Sequence, residues 1–201
     1  FVTSTDGTPQ TDTIGNIPVE FVDTDILESR GLMIVSKGVT VDVKVRATPA
    51  VLAKLDGQTV RVRASVSGVS TAGTQKINYT VALPSNVDES QVQFVGDAGG
   101  SVVDVDIAQF LRREVEVKGS FQGSVADGYL AGMEDDFRFS PSTVWISGQA
   151  ELVRQVSHVL VTVTDTELMD DIGKDCLFTL IGASGDPLDL DVECDVDSVY
   201  A

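Results

Sequence analysis

Period-two alternation of valines constrains this chain more than any other feature it has. Val39, Val41, Val43 and Val45 each stand between polar residues, and the rhythm returns at Val60 and Val62, at Val115 and Val117, and from Leu160 to Val163. Successive side chains of a strand point to opposite faces, so these segments set one face on a core and the other in water. Turn-forming clusters separate them: SGVSTAGT at 67–74, DESQ at 88–91, GDAGG at 96–100 and GASGDP at 182–187. The pattern predicts an all-β chain of twisted antiparallel strands.

Two short stretches break the rhythm. PAVLAKL at 49–55 and AELVRQV at 150–156 carry apolar residues at helical spacing, which predicts one or two helical turns in each. Their likeness exposes a repeat at an offset of 101 residues. Val43, Val45 and Ala47 match Val144, Ile146 and Gly148, while Val51, Leu52 and Leu55 match Leu152, Val153 and Val156. Val60 and Val62 then match Val161 and Val163, and one deletion brings Ile77, Thr80 and Val81 onto Leu177, Leu180 and Ile181. The expected organisation is two tandem domains, 17–107 and 108–201, each with a short helical turn. Residues 1–16, FVTSTDGTPQTDTIGN, are rich in Thr, Gly, Asp and Ser and read as a linker.

Charge narrows the function classes. The 201 residues carry a net −17, with a pI near 4.1, which repels nucleic acid phosphates and anionic lipid head groups. Nucleic acid is excluded as a partner on that ground. The imbalance sits in the second half, where residues 108–201 hold 6 basic and 18 acidic groups. Hydrophobic residues make up 42%, enough to build a packed core, and no apolar run approaches the ~20 residues that span a bilayer.

The order IPVEF at 17–21, GLMIV at 31–35 and VTVDVKVRATPAVLAKLDGQTVRVRASV at 39–66 resembles the start of a YbbR domain. GYLAG at 128–132 with SPSTVWISGQAELVRQVSHVLVTVTD at 140–165 resembles a second copy. The resemblance covers nearly everything after residue 16, and its motifs are architectural. Ala47 stands where many copies carry Gly, and the first copy lacks the Pro that Pro141 supplies in the second. YbbR domains occur in tandem on the outer side of bacterial membranes, often behind a single N-terminal membrane helix. The resemblance therefore implies an extracytoplasmic, membrane-anchored protein whose anchor lies just before Phe1. CdaR-type members bind and regulate a membrane-bound diadenylate cyclase that makes cyclic di-AMP, so the implied partner is such a cyclase. The family pattern offers no active residue to carry over.

The residues themselves argue for a binding protein over an enzyme, and they imply no cofactor. His158 is the one histidine, whereas triads and zinc sites lean on His or on several Cys. G-x-S-x-G and G-x-x-x-x-G-K-[ST] are absent, and no G-x-G-x-x-G opens a helix. In LDLDVECDV at 188–196, Asp189, Asp191, Glu193 and Asp195 alternate with apolar residues. Calcium needs six to eight oxygens converging at about 2.3–2.6 Å, while carboxylates on one strand face are strung out at about 6–7 Å. This row reads as a solvated strand face. Glu134-Asp135-Asp136 and Asp170-Asp171 with Asp175 read as solvated loops.

A hairpin across GASGDP, in the register that sets Leu180 opposite Leu190, would place Cys176 opposite Cys194. Two readings stay open there, a disulfide or two buried thiols; the separation across directly paired strands favours the thiols. Trp145 is either a partner contact or a packing residue, and strand aromatics more often pack. Lys44, Arg46, Arg61 and Arg63 are expected on the polar faces of two neighbouring strands, as cross-strand pairs or as a partner surface. Two rival functions fit the same residues: a structural spacer or adhesin-like surface array, and a calcium- or small-ligand-binding module.

Overall fold

A computed structural model of the chain describes residues 7–96, 101–133 and 136–201. The described residues are mostly strand, and their three α-helical segments run four to six residues. The fold class is all-β. The chain separates into two compact units, Phe1–Ala108 and Gln109–Ala201.

The first unit contains β1 (Gln10–Val22), α1 (Thr24–Ser29), β2 (Leu32–Ile34), β3 (Thr40–Ala47), α2 (Pro49–Leu52), β4 (Arg61–Ser65), β5 (Gly73–Ala82), β6 (Gln93–Phe94) and the opening residues of β7 (Val102–Val125). Strand β1 serves two partners in turn. Its first part, to Pro18, runs antiparallel to β3; Val19–Val22 runs parallel to β4. A parallel neighbour demands a crossover, and α2 with the loop behind it supplies one. Pro49 opens α2, at a position whose N–H would have no helical partner, and Val51 anchors the turn in the core. Two clusters of buried residues form this unit's interior. One gathers Ile17, Val45, Val60 and Val62; the other gathers Leu27, Ala64, Val66 and Val105. Val19, Val41 and Tyr79 pack against both.

The second unit takes the rest of β7 and adds β8 (Thr143–Gln149), α3 (Ala150–Val153), β9 (Val156–Leu168), β10 (Asp175–Cys176), β11 (Phe178–Gly182), β12 (Pro187–Leu188), β13 (Val192–Cys194) and β14 (Val199–Tyr200). Its central pairings repeat those of the first unit, while β10 and β14 form a small sheet of their own. Strand β7 runs antiparallel to β8 over Phe110–Glu116, then parallel to β9 from Val117. β9 pairs antiparallel with β11 as β4 does with β5, and β8 pairs with β13 as β3 does with β6. The register of β8 with β13 also matches that of β3 with β6: Val45 faces Phe94, and its repeat counterpart Ile146 faces Cys194. The interior is one cluster around Val117, Val144, Ile146, Val159 and Val161. Among the described residues no polar or charged side chain is fully buried. Arg113 is half-buried: it donates to the Val156 carbonyl, while its buried Nε meets no partner among the described residues.

Four expectations need correction. Residues 10–16 are not linker but the start of β1. Gly15 and Asn16 form a bulge there, with Asn16 in the left-handed region (φ 56°) and its N–H held by Asp42 Oδ1 at 2.9 Å. The bulge sets buried Ile14 and Ile17 three apart, which erases the period-two signal. Residues 1–6 lie outside the described set. Second, the match of Val81 to Ile181 fails in register, since Val81 faces Val62 whereas Ile181 faces His158 rather than Val163. Third, β3 and β4 are not neighbours, because β1 pairs with each of them. Fourth, the final hairpin pairs Ile181 with Pro187 beside the turn and stops at Leu180 opposite Leu188. The chain then leaves β11, and β13 pairs with β8 instead.

Ile146 has no exposed surface, while Glu193 on β13 faces water. Ile146→Ala should lower the unfolding free energy by about 2–5 kcal/mol in a denaturant titration. Glu193→Ala should change it by less than about 0.5 kcal/mol.

Candidate functional site

The acidic row keeps its alternation although its strand is broken. Asp189, Asp191, Glu193 and Asp195 are exposed, while Leu188, Leu190, Val192, Cys194 and Val196 pack against the core. Asp195 also fastens the segment to its neighbour, since its Oδ1 accepts the Trp145 N–H at 3.0 Å and its own N–H donates to the Trp145 carbonyl. The row is thus an outer face stitched to β8. Among the described residues no three His, Cys, Asp or Glu side chains converge to hold a metal ion. Glu134 and Asp135 lie outside the described set.

Trp145 is 39% exposed on β8, and the Arg112 guanidinium lies 4.9 Å from its ring centroid. Arg112 and Trp145 sit diagonally across the β7–β8 ladder, where a cation on an aromatic face adds about 0.5–1 kcal/mol. The four basic residues of the first unit do not form one patch. Lys44 and Arg46 are exposed on β3 beside Thr13 and Thr11 of β1. Arg61 and Arg63 are on β4, and Arg63 Nε contacts Glu20 Oε2 of β1 at 3.0 Å, an exposed pair.

Both cysteines are free thiols. Cys176 is buried opposite Val199, and Cys194 is half-buried opposite Ile146, so the strand register does not set one against the other. Burial pushes the Cys194 thiol above its ordinary pKa, and the Asp195 and Asp197 carboxylates push it further. Both effects oppose the thiolate, which is the reactive form. His158, on β9, has Nδ1 3.3 Å from Ser157 Oγ.

A concave surface lies where the sequence offered only the architectural GYLAG segment and acidic loops. A cleft of about 550 Å³ opens in the second unit, between the segment that follows β7 and the segment that follows β9. Its inner wall is Phe121 and Val125 of β7, Val163 and Leu168 of β9, and Phe137, which stacks on Phe139 at 5.7 Å. The Phe137 ring can lie there because residue 119 is Gly: a Cβ at that position would come within 2.6 Å of the ring. Gly173 does the same for Tyr200, whose hydroxyl lies over it. The mouth exposes large apolar groups, with Leu130 96% and Met133 77% accessible, alongside Tyr129, Met169 and Tyr200. Asp136, Asp170 and Asp171 line the same opening, with Arg138. Asp136 Oδ2 accepts the Met133 N–H at 2.7 Å, which holds the loop closed on itself. Aromatic rings, thioethers and carboxylates can bind a ligand by apolar contact and charge.

No protein-family model matches the chain, and no curated protein matches it. Among solved structures it is similar to a YbbR-like protein from Streptococcus pneumoniae TIGR4, at 14% identity over 96% of this chain and 93% of that one, with a TM-score of 0.45.

At mildly alkaline pH, Cys194 should react with an aromatic disulfide reagent more slowly than glutathione does, because its raised pKa depletes the thiolate. Cys176 should react only after denaturation. Two titratable thiols should be found in the unfolded chain without prior reduction; finding none would establish a disulfide.

Proposed function

We propose that this chain is a non-enzymatic binding and regulatory region, made of two YbbR-like domains in tandem and held on the extracytoplasmic face of a bacterial membrane. Its partner in this reading is a membrane-bound diadenylate cyclase, whose production of cyclic di-AMP it adjusts by contact. The segments at 17–21, 31–35, 39–66, 128–132 and 140–165 support the family assignment, and the duplicated pairing diagram supports a tandem array.

The binding part of the reading rests on one observation. The second unit presents an open cleft whose mouth is built from Tyr129, Leu130, Met133, Met169 and Tyr200. Exposed aromatic, Leu and Met side chains gathered at one opening are costly to leave in water and characteristic of contact surfaces. Among the described residues the lining consists of rings, aliphatic groups, thioethers, carboxylates and a guanidinium, groups suited to contact.

Co-expressing a diadenylate cyclase with the full membrane-anchored protein, or expressing the cyclase alone, measures the effect directly. Cellular cyclic di-AMP should change several-fold, and the two proteins should co-purify from detergent-solubilised membranes. An unchanged nucleotide level together with no co-purification removes the cyclase as partner. Millimolar calcium should leave the melting temperature of the purified chain where it was; a rise would favour the cation-binding rival.

A further inference from the structure

The cleft of the second unit has a mouth whose chemistry selects among occupants. Its exposed side chains divide into an apolar set (Tyr129, Leu130, Met133, Met169) and an acidic set (Asp136, Asp170, Asp171). Among the described residues three carboxylates line the opening against one guanidinium, and Arg138 Nη1 is turned onto the Phe137 carbonyl at 2.9 Å. Lys174, beside Gly173 of the lining, donates its Nζ to the Thr164 carbonyl at 2.6 Å. The field at the mouth is therefore negative, and the whole unit reinforces it, with 18 acidic against 6 basic groups.

We propose that this cleft docks a short segment of a partner protein in which one or two large apolar side chains are flanked by Lys or Arg. The inference rests on reading the chain as a binding module, but not on the partner being a cyclase. Charge complementarity decides the occupant. A second copy of the chain would bring the same carboxylates to the opening, and an anionic lipid surface would meet the same repulsion. A cationic segment is drawn in by the field and held by its apolar residues. The volume fits as well: about 550 Å³ lies within the range of small-ligand sites, enough for one or two side chains and the backbone that carries them. Met133 and Met169 suit such an occupant, since unbranched thioethers adapt to different apolar shapes. Tyr129 and Tyr200 offer rings for a cation or an apolar side chain to lie on.

The test uses the purified chain with Met methyl groups carbon-13 labelled. The probes are three synthetic octapeptides: a central Leu-Phe flanked by lysines, the same centre flanked by glutamates, and a lysine-flanked Ser-Ser. The lysine-flanked Leu-Phe peptide should shift the Met133 and Met169 methyl resonances and spare Met33, while the other two bind at least about tenfold more weakly. Raising salt should weaken binding several-fold. Leu130→Asp and the double variant Asp170→Lys with Asp171→Lys alter only exposed side chains, so both should fold. Each should weaken the lysine-flanked peptide about tenfold.

Equal binding of the glutamate-flanked peptide, or no shift of either methyl at millimolar peptide, overturns the proposal. So does sedimentation with phosphatidylglycerol vesicles, or dimerisation, if Leu130→Asp abolishes it. The cyclase assay separates the two readings. A peptide that shifts both methyls while cyclic di-AMP stays unchanged leaves the cleft standing without the cyclase. A cyclase response that is the same in the Leu130→Asp protein leaves the cyclase standing without the cleft.

Discussion

Each unit depends on one strand that changes neighbours midway. β1 and β7 begin antiparallel to one strand and finish parallel to another, and every later element is placed by that exchange. The parallel half cannot be reached by a hairpin, so the chain between β3 and β4, and between β8 and β9, has to cross over. A single helical turn accomplishes this in both units, with Val51 and Val153 as buried anchors. Burying a Val or Ile side chain stabilises by about 1.5–3 kcal/mol, and the residues lining the exchange, among them Val45, Val62, Ile146 and Val159, are almost wholly removed from water.

Much of this was legible because its signals are local. Alternating valines mark β3, β4, β7 and β9, and the two apolar helical turns mark α2 and α3. The offset of 101 residues finds β3 with β8 and β4 with β9, since those pairs keep the same inward residues. Its extension to β11 misled, because in a Val-rich chain a few apolar coincidences arise without a common register. The start of β1 was hidden for a different reason: its early residues are polar, and the bulge at Gly15–Asn16 puts Ile14 and Ile17 out of phase. α1 escaped because its helix is six residues long and buries only Leu27. The last hairpin shows how weakly a short alternating stretch fixes its partner: Leu188 and Leu190 present the same face, and only the tertiary fold shows which pairs with β11.

The candidate site was the least legible part. Nothing periodic marks residues 126–139, and a Tyr, Leu or Met in a loop gives no sign of exposure until the fold is known. One signal was there to be read, in GYLAGMEDDF at 128–137, where large apolar residues run directly into acids in a segment too irregular to be strand. Residues that the sequence did single out make contacts of their own within their units. Arg63 pairs with Glu20, Trp145 is covered by Arg112 and fastened to Asp195, and the acidic row keeps the outer side of its segment wet.

The two glycines beneath aromatic rings give the cleft a further property. Where residue 119 has only a hydrogen, Phe137 settles against the strand, and the same holds for Gly173 under Tyr200. Two positions without a side chain thus fix where the rings bordering the cleft can lie. Lineages of this fold could retune what they accept by adding or removing one methyl group under a ring, leaving every carboxylate and thioether at the rim untouched.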